Sequence, residues 1–246
     1  MNKTGIDYLT HTWNPIKMRC DPVSPGCTHC WHLTVCDNSI KNSRIPEKLK
    51  EVYRGGSFYL DEKELVSPLQ HRTPARIGVQ FMGDLFHESV PFEWIDRVME
   101  IIGWSPWHTF QFLTKRPDRM AAYFGGHYSL DFLPLPNLWL GVTAENQEMA
   151  DERIPILLDI PAAVRVVSVE PTLEEIGIAA AVLQRLDWVI IGAESGPRRR
   201  PCKTEWVSRL GILCNCAGVP WYVKQIQDIN GKVVRSPANW PQEFPQ

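Results

Sequence analysis

The stretch Trp188-Val189-Ile190-Ile191-Gly192-Ala193-Glu194-Ser195-Gly196 is a short apolar run that ends abruptly in polar residues. Other runs along the chain share this plan, with β-branched or aromatic residues followed by polar ones and then by a helical stretch. They cover residues 76–81, 109–113, 138–142, 164–169 and 220–223, and a seventh strand is expected within 8–13. Strands that alternate with helices pair in parallel through right-handed crossovers. The sequence therefore predicts an α/β fold, as a barrel or an open sheet.

Helical signals lie between these runs. Apolar residues recur at helical spacing at Ile95, Val98 and Ile102, and again at Trp206, Leu210 and Leu213. Thr172 and Glu175 match a capping box, which predicts a helix running from there to Leu186. Residues 38–74 are charged and irregular, so we expect them to form an elaboration between the first two strands. One barrel takes about 200–250 residues, so a single domain over 1–246 is expected.

The composition limits the classes of function. The chain has 246 residues, of which 44% are hydrophobic and 22% charged, as in a globular domain. Its 26 Lys and Arg against 28 Asp and Glu give a net charge of -2, which excludes a broadly basic nucleic-acid coat; a polyanion must be held by a local patch. No run reaches the ~18 apolar residues of a membrane span, and the start lacks the apolar stretch of a secretory signal. No membrane association and a cytoplasmic location are therefore expected.

Cysteines crowd into one early stretch. Cys20, Cys27 and Cys30 lie on a loop tightened by prolines and Gly26, and Cys36 follows closely. Thiolates select zinc, copper(I) or iron–sulfur clusters. Three cysteines on a cluster leave one iron open to a ligand, whereas a structural zinc site closes with four ligands. The alternatives are ordinary unliganded cysteines and a zinc knuckle completed by Cys36, His29 or His32, although a second Cys-x2-Cys or His pair is absent.

Blocks spread over nearly the whole chain resemble the phage-associated three-cysteine family of radical S-adenosylmethionine (SAM) proteins. They are Trp13-Asn14-Pro15, Ser24-Pro25-Gly26-Cys27-x-x-Cys30, Met82-Gly83-Asp84-Leu85-Phe86-His87, Leu113-Thr114-Lys115-Arg116-Pro117, Ser168-Val169-Glu170-Pro171, Gly192-Ala193-Glu194-Ser195-Gly196-Pro197 and Val223-Lys224-Gln225. The resemblance implies a partial TIM-type (β/α) barrel of mostly parallel strands. It also implies a 4Fe-4S cluster on Cys20, Cys27 and Cys30, with SAM as the second cofactor and flavodoxin or ferredoxin as an external electron donor.

Two positions depart from the pattern of that superfamily. Six residues separate Cys20 from Cys27, where three are usual, and Cys36 is the only nearby substitute. Trp31 stands where the family usually has tyrosine.

The resemblance also implies where SAM binds. Gly83 and Asp84 correspond to the element that holds its amino group, although Asp84 placed there also suits a turn cap. Glu145 and Asn146 are expected at the ribose, and a bidentate Arg153 at the carboxylate. His29 occupies a position that often contacts adenine. Glu170 and Glu194 end strands at adenine or substrate positions; plain rim residues are the alternative for these and for His29.

Candidate substrate residues form two cationic clusters. One cluster follows a strand with Lys115, Arg116 and Arg119, and the other follows a later strand with Arg198, Arg199, Arg200 and Lys203. Together they predict a phosphate-binding surface, with Lys115, Arg116, Arg198 and Arg199 as the candidates, unless they are simply a solvated charge run. Trp31 is a candidate for stacking a nucleic-acid base. The catalytic candidates are Lys224, Glu194 and Cys202.

The function expected from these features is a radical SAM enzyme that modifies or isomerises a nucleic-acid base, such as an aminoacyl-thymine adduct in phage DNA, within the host cytoplasm. Three alternatives stay open. They are a DNA repair enzyme resembling spore photoproduct lyase, a radical enzyme for a small metabolite or protein side chain, and a zinc-stabilised nucleic-acid-binding module without catalysis.

Overall fold

A mostly parallel β-sheet organises the structure, a computed structural model that describes residues 1–127, 134–196, 198–228, 230–235 and 237–245. The strands are β1 (Asn2–Lys3), β2 (His11–Trp13), β3 (Ile16–Lys17), β4 (Tyr59–Leu60), β5 (Arg76–Val79), β6 (Thr109–Phe112), β7 (Leu138–Thr143), β8 (Val164–Val169), β9 (Trp188–Gly192), β10 (Trp221–Gln227) and β11 (Val233–Arg235). Nine of them form one sheet in the order β1-β2-β5-β6-β7-β8-β9-β10-β11, and β3 pairs with β4 separately.

Neighbouring strands from β2 to β10 run parallel, while β1 and β11 are antiparallel additions at the two edges. The helices are α1 (Trp31–Lys41), α2 (Glu47–Tyr53), α3 (Glu62–Leu65), α4 (Ser67–Gln70), α5 (Phe92–Gly103), α6 (Pro117–Ala122), α7 (Gln147–Leu158), α8 (Ala180–Leu183) and α9 (Thr204–Ala217). A 3-10 turn covers Pro25–Cys27 and a π-helical turn Tyr123–His127. All seven expected strands are present, and the α/β class is confirmed.

The sheet is strongly curved. Side chains alternate between its two faces, so Val167 and Val189 pack in the main core while Val166, Trp188 and Ile190 pack in a second apolar cluster. Tyr8, just before β2, joins that second cluster, with its ring centroid 5.7 Å from that of Tyr222 on β10. Because β2 and β10 bound the parallel set, this contact requires the sheet to curl. Its hydrogen-bonded ladder nevertheless stays open between β1 and β11 in the described residues.

Residues near the end of the described chain fill part of the gap between the sheet edges. The Phe244 ring stacks on Trp188, with 5.4 Å between the ring centroids. On β5, the guanidinium carbon of Arg76 lies 4.6 Å from the centroid of the Phe244 ring. The Val223 N–H donates to the Pro241 carbonyl at 3.0 Å, so this segment covers the part of β10 that precedes its pairing with β11. Side chains thus connect the two edges where backbone pairing does not.

Two local predictions are wrong. The capping box at Thr172 does not form, because its hydroxyl donates to the carbonyls of Val169 at 2.9 Å and Gly192 at 3.2 Å, which ties the loop after β8 to β9. The helix in this region is only α8. The stretch 38–74 is largely ordered rather than irregular, with α2, β4, α3 and α4 inside it. The predicted helical face of α5 is confirmed. The helix α9 is present, but its buried face consists of Val207, Leu210, Gly211 and Cys214, whereas Trp206 and Leu213 are only partly buried.

We found no helix long and apolar enough to span a membrane within the described residues.

Candidate functional site

A cleft of about 200 Å³ opens at the carboxyl ends of the parallel strands. Its walls come from the loop that carries the early cysteines, from the residues that follow β5, β6, β8 and β9, and from the last residue of β7 and two residues of β10. In parallel α/β folds this end of the sheet is where active sites are built, because the loops after successive strands converge there. The cleft is therefore the candidate functional site.

Three cysteines line this cleft together: Cys20, Cys27 and Cys30. The turn Pro25–Cys27 begins with the Cys27 N–H donating to the Ser24 carbonyl at 2.9 Å, and Cys30 is the residue that caps α1. Cys36 lies elsewhere: its buried sulfur is 3.6 Å from Nε2 of His32, in a separate apolar cluster that includes Val52.

The three cysteines of the cleft can be compared with the ligand sets of a single ion and of a cluster. Among the described residues, no three His, Cys, Asp or Glu side chains are gathered so that they could hold one metal ion. A structural zinc site requires four ligands around one centre, so the zinc knuckle predicted with Cys36, His29 or His32 is not assembled here. The cysteines of a 4Fe-4S cluster bind different irons and need not converge on one point. Three soft donors on one cleft wall fit such a group.

Arg116, at the start of α6, connects the first cysteine to the end of β5. Its Nη1 lies 3.6 Å from Cys20 Sγ and 3.3 Å from Asp84 Oδ2, and its Nε donates to both oxygens of Glu88. Burial, reinforced by the negative charge of Asp84, raises the pKa of Cys20 to about 12, while Arg116 opposes the rise. The phosphate-binding surface predicted for Arg116 does not match this position, because its side chain is only 6% exposed.

The Asp84 carboxylate is fully engaged within the protein. Oδ1 accepts from Phe86 N–H and the Thr114 hydroxyl, and Oδ2 from Lys115 N–H and Arg116. Four donors fill the lone-pair sites of a carboxylate. Asp84 therefore organises the ends of β5 and β6, and its predicted contact with a ligand amino group requires one of these donors to move. Gly83, with φ at 132°, lines the cleft beside it.

Glu145 and Arg153 form a buried pair beside the cysteine loop. Arg153 Nη1 donates to Glu145 Oε2 at 3.1 Å and to the Thr143 carbonyl at 2.7 Å. Burial raises the pKa of Glu145, but Lys115, Ser24, Arg153 and the Gly26 N–H outweigh it and hold the pKa below its ordinary value. Neither side chain lies on the cleft wall. The predicted contacts of Glu145 with a ribose and of Arg153 with a carboxylate are therefore not preformed.

Two more carboxylates face the cleft. Glu194 accepts from His29 Nδ1 at 3.2 Å and from the Arg200 backbone N–H at 2.7 Å, as well as from the Arg200 guanidinium. Burial raises the pKa of Glu194, but Arg200 and His29 outweigh it and lower the pKa. Glu170 Oε1 accepts from Lys224 Nζ and from Gln225 Nε2. The structure thus brings four predicted residues, His29, Glu170, Glu194 and Lys224, to one cleft.

Other predicted residues lie away from the cleft. Asn146 caps α7, with its side chain accepting from Met149 N–H at 3.0 Å, so a predicted ribose ligand is instead a helix cap.

Cys202 is 6% exposed within the main core, and burial raises the pKa of its thiol to about 11. Arg199 donates to the carbonyls of Gly231 and Gly196, while Arg198 is exposed. Neither arginine lines the cleft.

The cleft also contains polar groups that have no partner among the described residues. The hydroxyls of Thr143 and Ser168 make no side-chain hydrogen bond there, nor does Glu170 Oε2. The Lys115 ammonium acts on Glu145 through its charge but forms no hydrogen bond or salt bridge among the described residues. Sequence reasoning missed Thr143 and Ser168. The only signal in the sequence was that one hydroxyl residue stands near the end of each of these two apolar strands, Thr143 in β7 and Ser168 in β8. Trp31 was predicted at the site and lines the cleft with 48% of its surface exposed.

The chain belongs to a family described as proteins of unknown function, DUF5131, whose model matches residues 3–238. No curated protein matches the chain, and no solved structure does.

Proposed function

We propose that the chain is a radical SAM enzyme that modifies or isomerises a nucleic-acid base. The observation that carries this proposal is that Cys20, Cys27 and Cys30 share one cleft at the carboxyl ends of parallel strands. These three thiols would hold a 4Fe-4S cluster. The chemistry that the cluster and SAM supply when bound is reductive cleavage of the sulfonium bond, followed by hydrogen-atom abstraction from the substrate.

The chain's own groups provide a complementary surface for a polar ligand. The Lys115 ammonium supplies a positive charge for a carboxylate or phosphate, and Glu170 Oε2 accepts from an amine or hydroxyl. The hydroxyls of Thr143 and Ser168 can donate as well as accept. Free donors and acceptors of both kinds suit SAM, which presents an amino group, a carboxylate and ribose hydroxyls.

Two further features support a base as substrate. Trp31 offers a half-exposed indole at the cleft, and an aromatic face of this kind stacks on a base. His29 is oriented by Glu194, so its ring is held in place beside the cleft. The resemblance described above extends the proposal to phage DNA, with an aminoacyl-thymine adduct as the base and flavodoxin or ferredoxin as the electron donor.

The cofactor part of the proposal is tested by anaerobic purification. We expect brown protein that contains iron and sulfide and converts SAM to 5'-deoxyadenosine when a reductant is added. Cys27→Ala or Cys30→Ala should remove both the iron and SAM cleavage, whereas Cys216→Ala, at an exposed position on α9, should change neither. Oxygen-protected material without iron and sulfide would contradict the proposal.

The substrate part requires a separate measurement. Phage and host DNA are incubated with the active enzyme, and their nucleosides are analysed by mass spectrometry. A nucleoside whose mass or retention changes only in the presence of SAM supports a base substrate. Active SAM cleavage with no altered nucleoside in any DNA would contradict that part alone.

A further inference from the structure

A buried carboxylate fastens the cysteine loop to the sheet. Glu145 lies just beyond β7, and its side chain is 0% exposed. Its Oε1 accepts hydrogen bonds from the Ser24 hydroxyl and from the Gly26 N–H, the latter at 2.8 Å. The chain therefore links positions 119 residues apart through one side-chain oxygen.

The carboxylate is itself held rigidly. The Glu145 carbonyl accepts from Leu173 N–H at 3.0 Å, and the neighbouring Ala144 N–H donates to the Ser168 carbonyl at 3.0 Å. Oε2 of Glu145 accepts from Arg153, which also donates to the Thr143 carbonyl at the end of β7. The backbone of Glu145 is thus held through β8 and the segment after it, and its Oε2 by Arg153 of α7, and none of these partners belongs to the cysteine loop.

Gly26 allows the close approach on the loop side. A Cβ atom built at this position would lie 2.8 Å from Cδ and 2.9 Å from Oε1 of Glu145, separations that real Cβ atoms essentially never show. Only glycine brings its N–H to the carboxylate without displacing it. The next residue is Cys27, whose own N–H donates back to the Ser24 carbonyl at 2.9 Å.

We propose that Glu145 is a positioning residue that sets the conformation of loop 24–30, so that Cys27 and Cys30 face the cleft before any ligand binds. The holding of the loop stands on the contacts alone; its consequence for cluster assembly rests on the proposed function. Glu145 would act through Ser24 and Gly26 and would not itself contact a cofactor.

Hydrogen–deuterium exchange of the full chain, followed by mass spectrometry before iron is added, tests the holding of the loop. In Ser24→Ala and Gly26→Ala we expect exchange in peptides covering 24–30 to rise about tenfold or more, as for the loss of a buried hydrogen bond to a charged group. Exchange in α5 should stay unchanged. Ser24→Thr, which restores the hydroxyl, should return the loop towards the wild-type rate.

Gly5→Ala is the matched control, because a Cβ at Gly5 meets nothing within 4 Å. It should leave exchange in 24–30 unaltered. Ser24→Ala retains the pair of Glu145 and Arg153, so the test remains decisive even when Gly26→Ala does not fold. Wild-type exchange rates over 24–30 in folded Ser24→Ala would overturn the proposal.

Iron content after anaerobic reconstitution gives the second readout. We expect Ser24→Ala and Gly26→Ala to retain less iron per chain than the wild type and Gly5→Ala. Wild-type protein that takes up no iron would contradict the proposed function, while the exchange rates would still decide the role of Glu145. Wild-type protein that takes up iron, together with unchanged exchange in the variants, would overturn the positioning role alone.

Discussion

The guanidinium of Arg116 lies 3.6 Å from the sulfur of Cys20, so the residue just before α6 directly contacts the first cysteine of the early loop. The same guanidinium reaches Asp84, Glu88 and the carbonyl of Asp21. One planar group with five donors thereby joins the loop to the ends of two strands.

Arg116→Lys should destabilise the protein. A single ammonium cannot reach all these acceptors at once, so we expect the free energy of unfolding to fall by about 1–3 kcal/mol. Arg116 lowers the pKa of Cys20, so the loss of its contact should raise that pKa further. Alkylation of Cys20, which requires the thiolate, should then shift to higher pH in the variant. Urea titration and peptide mass spectrometry measure the two effects. Arg44→Lys, at an exposed position, is the control, and an unchanged alkylation profile would contradict the electrostatic effect.

Glu194 should contribute a pH-dependent part of stability. Its lowered pKa in the folded protein means that its contribution is complete above the unfolded pKa of about 4.3 and is lost as the pH falls through the folded value. The difference in unfolding free energy between wild type and Glu194→Gln should therefore be largest near neutral pH and shrink in acid. Glu93→Gln on the exposed side of α5 should show no such trend. A constant difference across the titration would contradict this assignment.

Asn146 should affect stability and not SAM binding. As the cap of α7, its replacement by alanine removes the hydrogen bond to Met149 N–H and should cost about 0.5–2 kcal/mol. Thermal unfolding measures this loss, with exposed Asn38→Ala as the comparison. Equilibrium dialysis with SAM provides the opposing test. If Asn146→Ala bound SAM more weakly while keeping wild-type stability, the result would support the ribose contact predicted from the sequence and contradict the capping role.

Replacing Gly211 by alanine should destabilise the protein, although alanine normally favours a helix. Alanine is preferred over glycine inside helices by about 1 kcal/mol. At Gly211 in α9, however, a Cβ would lie 2.2 Å from the Trp221 ring, so Gly211→Ala should destabilise by about 1–3 kcal/mol. Gly103→Ala, with open space around its Cβ, should not destabilise. Equal effects at the two positions, read from chemical denaturation, would refute the packing argument.

Phe244 should stabilise the gap between the sheet edges. Its ring is partly buried against Trp188 and Tyr222, so Phe244→Ala should lower the free energy of unfolding by about 1–3 kcal/mol. Trp104→Ala, which removes an aromatic ring that is 63% exposed, should have a smaller effect. Calorimetric unfolding compares the two variants. A larger loss at Trp104 would show that the ring of Phe244 does not connect the edges.

The strands were predictable because each reads as a short apolar run closed by polar residues, as at Trp188–Gly192. The helix after Thr172 was not, since its hydroxyl donates to two carbonyls that become neighbours only when β8 and β9 pair. The local sequence pattern thus predicted the strands, whereas hydrogen bonds formed only in the folded sheet determined that Thr172 lies in a loop and does not cap a helix.

The site was predictable in position but not in detail. Polar residues at strand ends, such as Glu170 and Glu194, were expected at one rim and do line the cleft. Sequence alone gave no means of telling that Glu145 and Arg116 point into protein contacts rather than towards a ligand. Their partners, Ser24, Gly26 and Cys20, come from a loop about 100 residues away, and no periodicity encodes such pairing.

The absence of room for a Cβ at Gly26 makes two distant positions interdependent in evolution. A related chain that keeps the acid at 145 has to keep glycine at 26, and one that acquires a side chain at 26 has to shorten or remove the acid. The two sites should consequently covary among members of the family, as a single inherited unit.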